Sequence, residues 1–316
     1  MSILQALVPE IVEAAKRLDG VSERTPVQLN QRLTAATGSD VWLKREDLQP
    51  VRSYKLRGAY TLMSQLNDTE KAAGVVCASA GNHAQGVAFS CAALGINATI
   101  FVPRTTPRQK RDRIKAIARG RVELKLVGST YDQALDAAKE YASATHRIAV
   151  PAFDHPRIVA GQATIMVEAF DQLGFVPDVV VLPVGGGGLL SGAAAWLRNT
   201  HPQVRIIGVE PEGAACVAAA ISAGRPIKLP EIDTFVDGAA VARVGDFTFR
   251  AIREANVELI RVPEGQVCSE MLQLYQVDGI IAEPAGALAP AALPTGGIGP
   301  RIQIPHGSRV LSLVSG

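Results

Sequence analysis

The sequence is short of several things that would mark other classes of protein. Its four cysteines, Cys77, Cys91, Cys216 and Cys268, are widely spaced and include no CxxC pair. That argues against a zinc knuckle or a thioredoxin-type redox site and suits reduced thiols in the cytoplasm. No apolar run reaches the roughly 18 residues needed to cross a bilayer. The first 20 residues include Glu10, Glu13 and Asp19 and lack a long apolar stretch, so no secretory signal is expected there. Charge of one sign is also missing: 32 basic and 30 acidic side chains leave a net +2. A general nucleic-acid partner would need a larger or more segregated excess. The basic stretch 104–121, with eight cationic residues and only Asp112 acidic, reads as a solvated helix with some contacts between subunits. His146, His155, His201 and His306 show no metal-ligand spacing, and there is no HExxH, no GxSxG elbow and no solenoid repeat.

What is present is an ordinary globular composition in 316 residues, 47% hydrophobic and 20% charged, enough for about two domains. Apolar runs at 41–43, 75–78, 98–102, 122–127, 179–184, 206–209 and 310–314 read as strands. Several are solidly apolar rather than alternating, as in parallel strands covered on both faces. Helical periods lie at 2–18, 108–118, 131–143, 161–173, 189–198, 214–223, 247–254 and 264–277. The alternation predicts an α/β architecture with mainly parallel sheets. Pro151 and Pro156 bracket a plausible crossing between domains.

Ligands of such sheets sit beyond the carboxyl ends of the strands. Two strand-to-helix corners carry chemistry there. Gly185, Gly186, Gly187 and Gly188 follow one strand and precede the helix at Leu189. Consecutive glycines let the backbone approach a ligand closely, and their amides plus a helix N-terminus suit an anion such as phosphate. No Lys-Ser/Thr follows, so it is not a Walker loop. A dinucleotide loop is the alternative, with Glu210 ending the next strand, although Ser191 stands where its last glycine would be. The other corner is Ser79-Ala80-Gly81-Asn82-His83-Ala84-Gln85-Gly86, whose donors suit a carboxylate and a ring oxygen. The plain reading of that corner is a helix start capped by Asn82 or Ser79. Lys55, within VRSYKLRGAY at 51–60, is a candidate for covalent attachment to a carbonyl cofactor. Its neighbours Lys44, Arg45, Arg52 and Arg57 read as solvated or ion-paired.

SYKLRGA at 53–59, SAGNHAQG at 79–86, GGGGL at 185–189, EPAGA at 283–287 and the terminal Ser315-Gly316 occur in that order. The set resembles the fold-type II pyridoxal 5'-phosphate enzymes, whose fold is like that of the tryptophan synthase β chain. Within them it resembles the threonine and serine dehydratases. FVDGAAVARVGD at 235–246 and the EPAGA box look most like the catalytic domain of biosynthetic threonine deaminases, which serve isoleucine synthesis. The likeness covers nearly the whole chain.

The resemblance implies two open α/β domains with pyridoxal phosphate between them: a large one from 1–55 and 149–316, and a small one from 56–148. It implies that Lys55 is the Schiff-base lysine and takes the substrate α-proton. Gly185, Gly186, Gly187, Gly188 and Leu189 cradle the phosphate, Asn82 bonds the phenolic oxygen, and the Ser315 hydroxyl meets the pyridine nitrogen. Ser79, Ala80, Gly81, Asn82 and His83 hold the substrate carboxylate, with Ser79 and Glu283 near the reacting atoms. The implied reaction is β-elimination from L-threonine to 2-oxobutanoate and ammonia, and from L-serine to pyruvate. A homodimer or homotetramer in the cytoplasm is implied, with no membrane and no nucleic acid involved.

Some positions depart from the pattern. The family commonly ends its last motif SGGN, whereas this sequence stops at Gly316, which implies a less firmly held ring-nitrogen pocket and no C-terminal regulatory domain. Ala163 replaces a common glycine, with a small packing effect expected. Ala80 stands where serine racemases carry a second acid–base serine, which argues against racemisation. Their divalent-metal site wants an acid just after the Glu-Pro strand end, where Glu210 is followed by Ala214 and Cys216 instead, so no metal is expected and Glu210 is left to cap or pack. A β-replacement synthase would carry a threonine-rich loop in place of HAQG. A nicotinamide-dependent oxidoreductase or a silent nucleotide-binding module rests only on Gly186–Gly188 with Glu210.

Overall fold

A computed structural model describes residues 1–294 and 302–316. The chain opens with α1 (Ile3–Leu18), β1 (Val27–Leu29), α2 (Gln31–Thr37) and β2 (Asp40–Arg45). Next come α3 (Lys55–Met63), α4 (Asp68–Ala73), β3 (Val75–Ala78), α5 (Asn82–Leu94), β4 (Ala98–Val102), α6 (Arg108–Ala118), β5 (Val122–Leu126), α7 (Tyr131–Thr145) and β6 (Ile148–Ala149). The remainder runs α8 (Pro156–Leu173), β7 (Val179–Pro183), α9 (Gly188–Thr200), β8 (Arg205–Pro211), α10 (Cys216–Ala223), α11 (Asp246–Ala255), β9 (Glu258–Val262), α12 (Glu264–Gln276), α13 (Pro284–Ala291) and β10 (Arg309–Val314).

Two sheets form. One has the order β1-β2-β10-β7-β8-β9, the other β5-β4-β3-β6. Every pairing is parallel except β1 with β2. The expectation of mainly parallel α/β sheets is therefore met. The chain leaves the six-stranded sheet after β2, builds the four-stranded sheet, and returns at β7.

The reason for the solidly apolar strands is visible in β7, where all five residues are buried. On one face Val180 and Leu182 pack with α1, α8, α9 and α11; on the other Val179 and Val181 pack with α2, α12 and α13. α1 illustrates how sequence sets this up. Ser2 and Gln5 close a capping box, and Leu4, Leu7, Ile11, Ala14 and Leu18 form one buried stripe.

The sequence pattern missed β1, β6 and β9, and each has a reason. β6 has two residues, β1 has three, and β9 lies at the sheet edge with only Val262 buried. α8 starts at Pro156, earlier than the apolar period from 161. His155 accepts from the Arg157 amide, and a proline fits the first helical position because that N–H has no partner to lose. Residues around Lys55 and in the EPAGA box are also helical, as the first turns of α3 and α13.

Candidate active site

The parallel registers bring the sequence motifs to one edge. β10 pairs with both β2 and β7, with Ser312 opposite Leu43 and Val181. Ser315 and Gly185 therefore both lie just past the carboxyl ends of neighbouring strands. Across from them, β3 delivers Ser79 at the end of the other sheet.

Lys55 is the first residue of α3, its Nζ 5.2 Å from the centre of the Tyr54 ring. Gly86 lets α5 lie against it: a Cβ there would stand 2.9 Å from the Lys55 carbonyl carbon and oxygen. Asn82, at the start of α5, donates its side-chain amide to Glu283 Oε1. The Glu283 backbone N–H donates to the Gly316 carbonyl at 3.0 Å, and the Tyr54 N–H donates to the Ser315 carbonyl at 3.3 Å. Ser315 is buried, and its hydroxyl donates to the Ala285 carbonyl at 3.0 Å. A Cβ at Gly286 would overlap the Gly316 carbonyl oxygen, so the EPAGA glycine is what admits the last residues. Lys55, Asn82, Glu283 and Ser315, far apart in sequence, thus form one connected cluster.

Glu283 in this cluster and His83 next to Asn82 have displaced proton affinities. Burial pushes the Glu283 carboxyl up; the Asn82 amide opposes this, Asp237 adds to it, and Lys110 and Lys55 pull it down. Burial pushes His83 down to about 4, against the pull of the Val150 carbonyl, with Lys55 adding to the fall. His83 Nε2 lies 2.8 Å from the Val150 carbonyl, so that nitrogen carries the proton. Nδ1 is buried and has no partner among the described residues. Ser79, Ala80, Gly81 and Asn82 are half-buried at the same corner. Neither Ser79 nor Asn82 caps α5, contrary to the plainer expectation: the N-cap is Gly81, without a side-chain bond, and Ser79 Oγ accepts from the Gly81 amide at 3.2 Å.

The glycine loop turns sharply from β7 into α9. Gly187 has φ of +89°, a conformation that disfavours any Cβ. Among the described residues, the amides of Gly185, Gly186 and Gly187 have no acceptor, and no side chain caps the helix that begins at Gly188. With Leu189 in the first turn, the result is a row of unpaired donors at the positive end of a helix dipole. Gly238 and Ala239 connect this loop to the cluster. A Cβ at Gly238 would lie 3.0 Å from Glu283 Oε1, and one at Gly185 would lie 3.0 Å from the Ala239 backbone.

Glu210 does not serve such a loop as a ribose acceptor. It is fully buried, and it accepts from the amides of Val217 at 2.7 Å and Ala218 at 2.8 Å, capping α10. Burial pushes its carboxyl up to about 7 despite those two amides and the nearby Arg261. That removes the second support for a dinucleotide site.

Beneath Lys55, Arg57 and Lys44 are buried and ion-paired, as one of the two sequence readings had it. Arg57 donates to both oxygens of Glu46 at 2.8 Å and to Glu168 at 3.0 Å; Lys44 bonds Glu168 and the Thr25 carbonyl. Sequence reasoning did not give the partners Glu46 and Glu168, and had no signal for Phe153, whose ring occupies the space a Cβ at Gly186 would need. Gly86 and Gly238 were inside quoted motifs, but only the packing shows what each admits.

These features suit a phosphate-bearing aldehyde cofactor anchored at a lysine, and the relationships of the chain agree. The profile of the pyridoxal-phosphate dependent enzymes matches residues 19–316, and the chain belongs to that family. Within it the particular likeness is to biosynthetic L-threonine dehydratases. That of Mycobacterium tuberculosis is 52% identical over 309 residues, 97% of this chain and 71% of the relative. That of Bacillus subtilis is 46% identical over 286 residues, 90% and 68% respectively. Among solved structures, the processed form of threonine deaminase isoform 2 from Solanum lycopersicum has a TM-score of 0.90 at 35% identity, covering 98% of this chain and 89% of that one. Maize serine racemase also has a TM-score of 0.90, at 28% identity, covering 98% and 92%. The cofactor of this family is pyridoxal phosphate, and the unpaired amides at 185–187 fit its phosphate.

Proposed function

We propose that this chain is an L-threonine ammonia-lyase that converts L-threonine to 2-oxobutanoate and ammonia, and L-serine to pyruvate. The observation that carries the reading is its 52% identity to a biosynthetic L-threonine dehydratase through 97% of its length. When bound, pyridoxal phosphate supplies the electron sink that acidifies the substrate Cα–H. The protein does the rest. Lys55 Nζ takes the α-proton as general base. The amides of Gly185, Gly186, Gly187, Gly188 and Leu189 hold the phosphate charge. Asn82 fixes the ring oxygen. The Ser315 hydroxyl would meet the ring nitrogen and, unlike a carboxylate, need not hold a proton on it. A hydroxyl rather than a carboxylate at that position would favour loss of the substrate β-hydroxyl. Ser79, Ala80, Gly81, Asn82 and His83 would hold the substrate carboxylate, and Glu283, whose carboxyl burial pushes up and Lys55 pulls down, would lie near the reacting atoms.

A serine racemase reading has the support of the maize likeness, but Ala80 offers no hydroxyl as a second acid–base group. We assign the two sheets to domains of 1–55 with 149–316 and of 56–148, with the cofactor between them. We assign the chain to the cytoplasm as a homodimer or homotetramer; the exposed Leu272, Tyr275, Val277 and Ile281 support an apolar contact between copies.

The test is a visible spectrum of the purified protein, followed by borohydride reduction and peptide mass mapping. A yellow protein with the cofactor mass fixed on Lys55, releasing 2-oxobutanoate from L-threonine, is expected. Lys55→Ala abolishes both. A protein that stays colourless and unmodified with added pyridoxal phosphate sinks the reading, and D-serine formed faster than pyruvate replaces it with the racemase.

A further inference from the structure

The glycine loop contributes no side chains, so something else must fix which way its peptides face. In a trans peptide the carbonyl of one residue and the N–H of the next point in opposite directions. A donor that grips a carbonyl from inside the protein therefore turns the following N–H outward. Three consecutive carbonyls of the loop are gripped in this way. Cys216 Sγ donates to the Gly185 carbonyl at 3.5 Å, Thr248 Oγ1 to the Gly186 carbonyl at 2.7 Å, and Ser191 Oγ to the Gly187 carbonyl at 2.7 Å. All three side chains are completely buried. The N–H groups across those peptides belong to Gly186, Gly187 and Gly188, and those of Gly186 and Gly187 are among the unpaired donors.

Thr248 is the key member. The Ser191 bond is an ordinary one back to the preceding helical turn, and a thiol is a weak donor. Thr248 comes from a distant helix, α11, and that helix is itself pinned beside the loop. Asp154 accepts from the amides of Asp246, Phe247 and Thr248 at 2.9, 2.9 and 3.1 Å, and its neighbour Phe153 packs on Gly186. We propose that Thr248 is a positioning residue for the cofactor phosphate: by holding the Gly186 carbonyl it presents the Gly187 N–H to the anion. This rests on the reading of the loop as the phosphate cradle of a pyridoxal-phosphate enzyme.

The experiment titrates the cofactor-free full chain with pyridoxal phosphate, with inorganic phosphate, and with pyridoxal, which reacts at the same lysine but has no phosphate. Thr248→Val keeps the shape and removes the hydroxyl. Its dissociation constants for pyridoxal phosphate and inorganic phosphate rise about tenfold, the scale of one lost buried hydrogen bond, while that for pyridoxal is unchanged. Thr248→Ser restores wild-type values within about twofold, since the hydroxyl returns. Should the valine variant not fold, Thr248→Ala is read by the same ratio. Equal loss of pyridoxal and pyridoxal phosphate binding, or no loss of either, overturns the positioning role. A wild-type chain that binds none of the three overturns the cofactor reading itself, a distinct result because no variant is involved.

Discussion

The two strand-to-helix corners that face each other across the site are built on opposite principles. Both follow a parallel strand, and both open a helix that no side chain caps. At 185–188 the backbone is the instrument: a Cβ at Gly186 overlaps Phe153, one at Gly187 meets Ile252 Cδ1 at 2.7 Å, and buried donors grip the carbonyls from behind. At 79–83 the side chains are the instrument, and a Cβ at Gly81 meets nothing within 4 Å. A fixed anion such as phosphate is suited by rigid amides, whereas a substrate that enters and leaves is suited by side chains in a half-open corner. The third support, under Lys55, uses neither device but a buried set of charges around Arg57.

The contrast can be broken or sharpened by four measurements. Arg57→Met is the harshest: it leaves Glu46 and Glu168 without their guanidinium in the interior, and a loss of about 3–5 kcal/mol in chemical denaturation is expected. A loss under 1 kcal/mol would mean that water reaches these carboxylates, so that charge is not what fixes α3.

The second concerns pH. His83, near one corner, goes from its ordinary 6.5 down to about 4. As pH falls from 6.5 to 4, the unfolded chain takes up a proton that the folded chain refuses, so stability falls by about 3 kcal/mol on this account. Glu210, behind the other corner, goes from 4.5 up to about 7. As pH rises from 4.5 to 7, the folded chain keeps a proton that the unfolded chain releases, so stability falls in the opposite direction by about 3 kcal/mol. The two contributions largely cancel. Glu210→Gln should expose a stability that climbs with pH between 4 and 6.5, and His83→Asn one that declines between 4.5 and 7. Denaturation midpoints measured across that range decide it; parallel slopes in the two variants would refute the opposed shifts.

Third, Gly187→Ala places a side chain at φ +89°, and strain of about 1–2 kcal/mol plus the contact with Ile252 should lower the melting temperature and cofactor retention together. Fourth and smallest, Gly81→Ala should change stability by less than about 0.5 kcal/mol, because its Cβ points into open space. It should raise KM for L-threonine with little change in cofactor binding. If Gly81→Ala destabilises as much as Gly187→Ala, the two corners are not built differently after all.

Much of this site could be read from the chain. The motifs around Lys55, Asn82, the glycines, Glu283 and Ser315 are local strings, and the solid apolar runs announced buried parallel strands. Short or half-exposed strands such as β1, β6 and β9 were invisible because periodicity needs length and a buried face to register. The helical character of Lys55 was hidden because a nine-residue helix held by its neighbours carries little signal of its own.

The sequence by itself determined the kinds of groups available: a lysine, an amide loop, four glycines, the serine at 315, and the layered fold that puts strand ends together. The tertiary structure alone decided their partners. Thr248 lies 62 residues from the Gly186 carbonyl it holds, Glu283 is 201 residues from Asn82, and Arg57 is 111 from Glu168. No local pattern encodes such pairings, because a buried polar group needs only some partner nearby, and which one it finds is settled when distant helices pack.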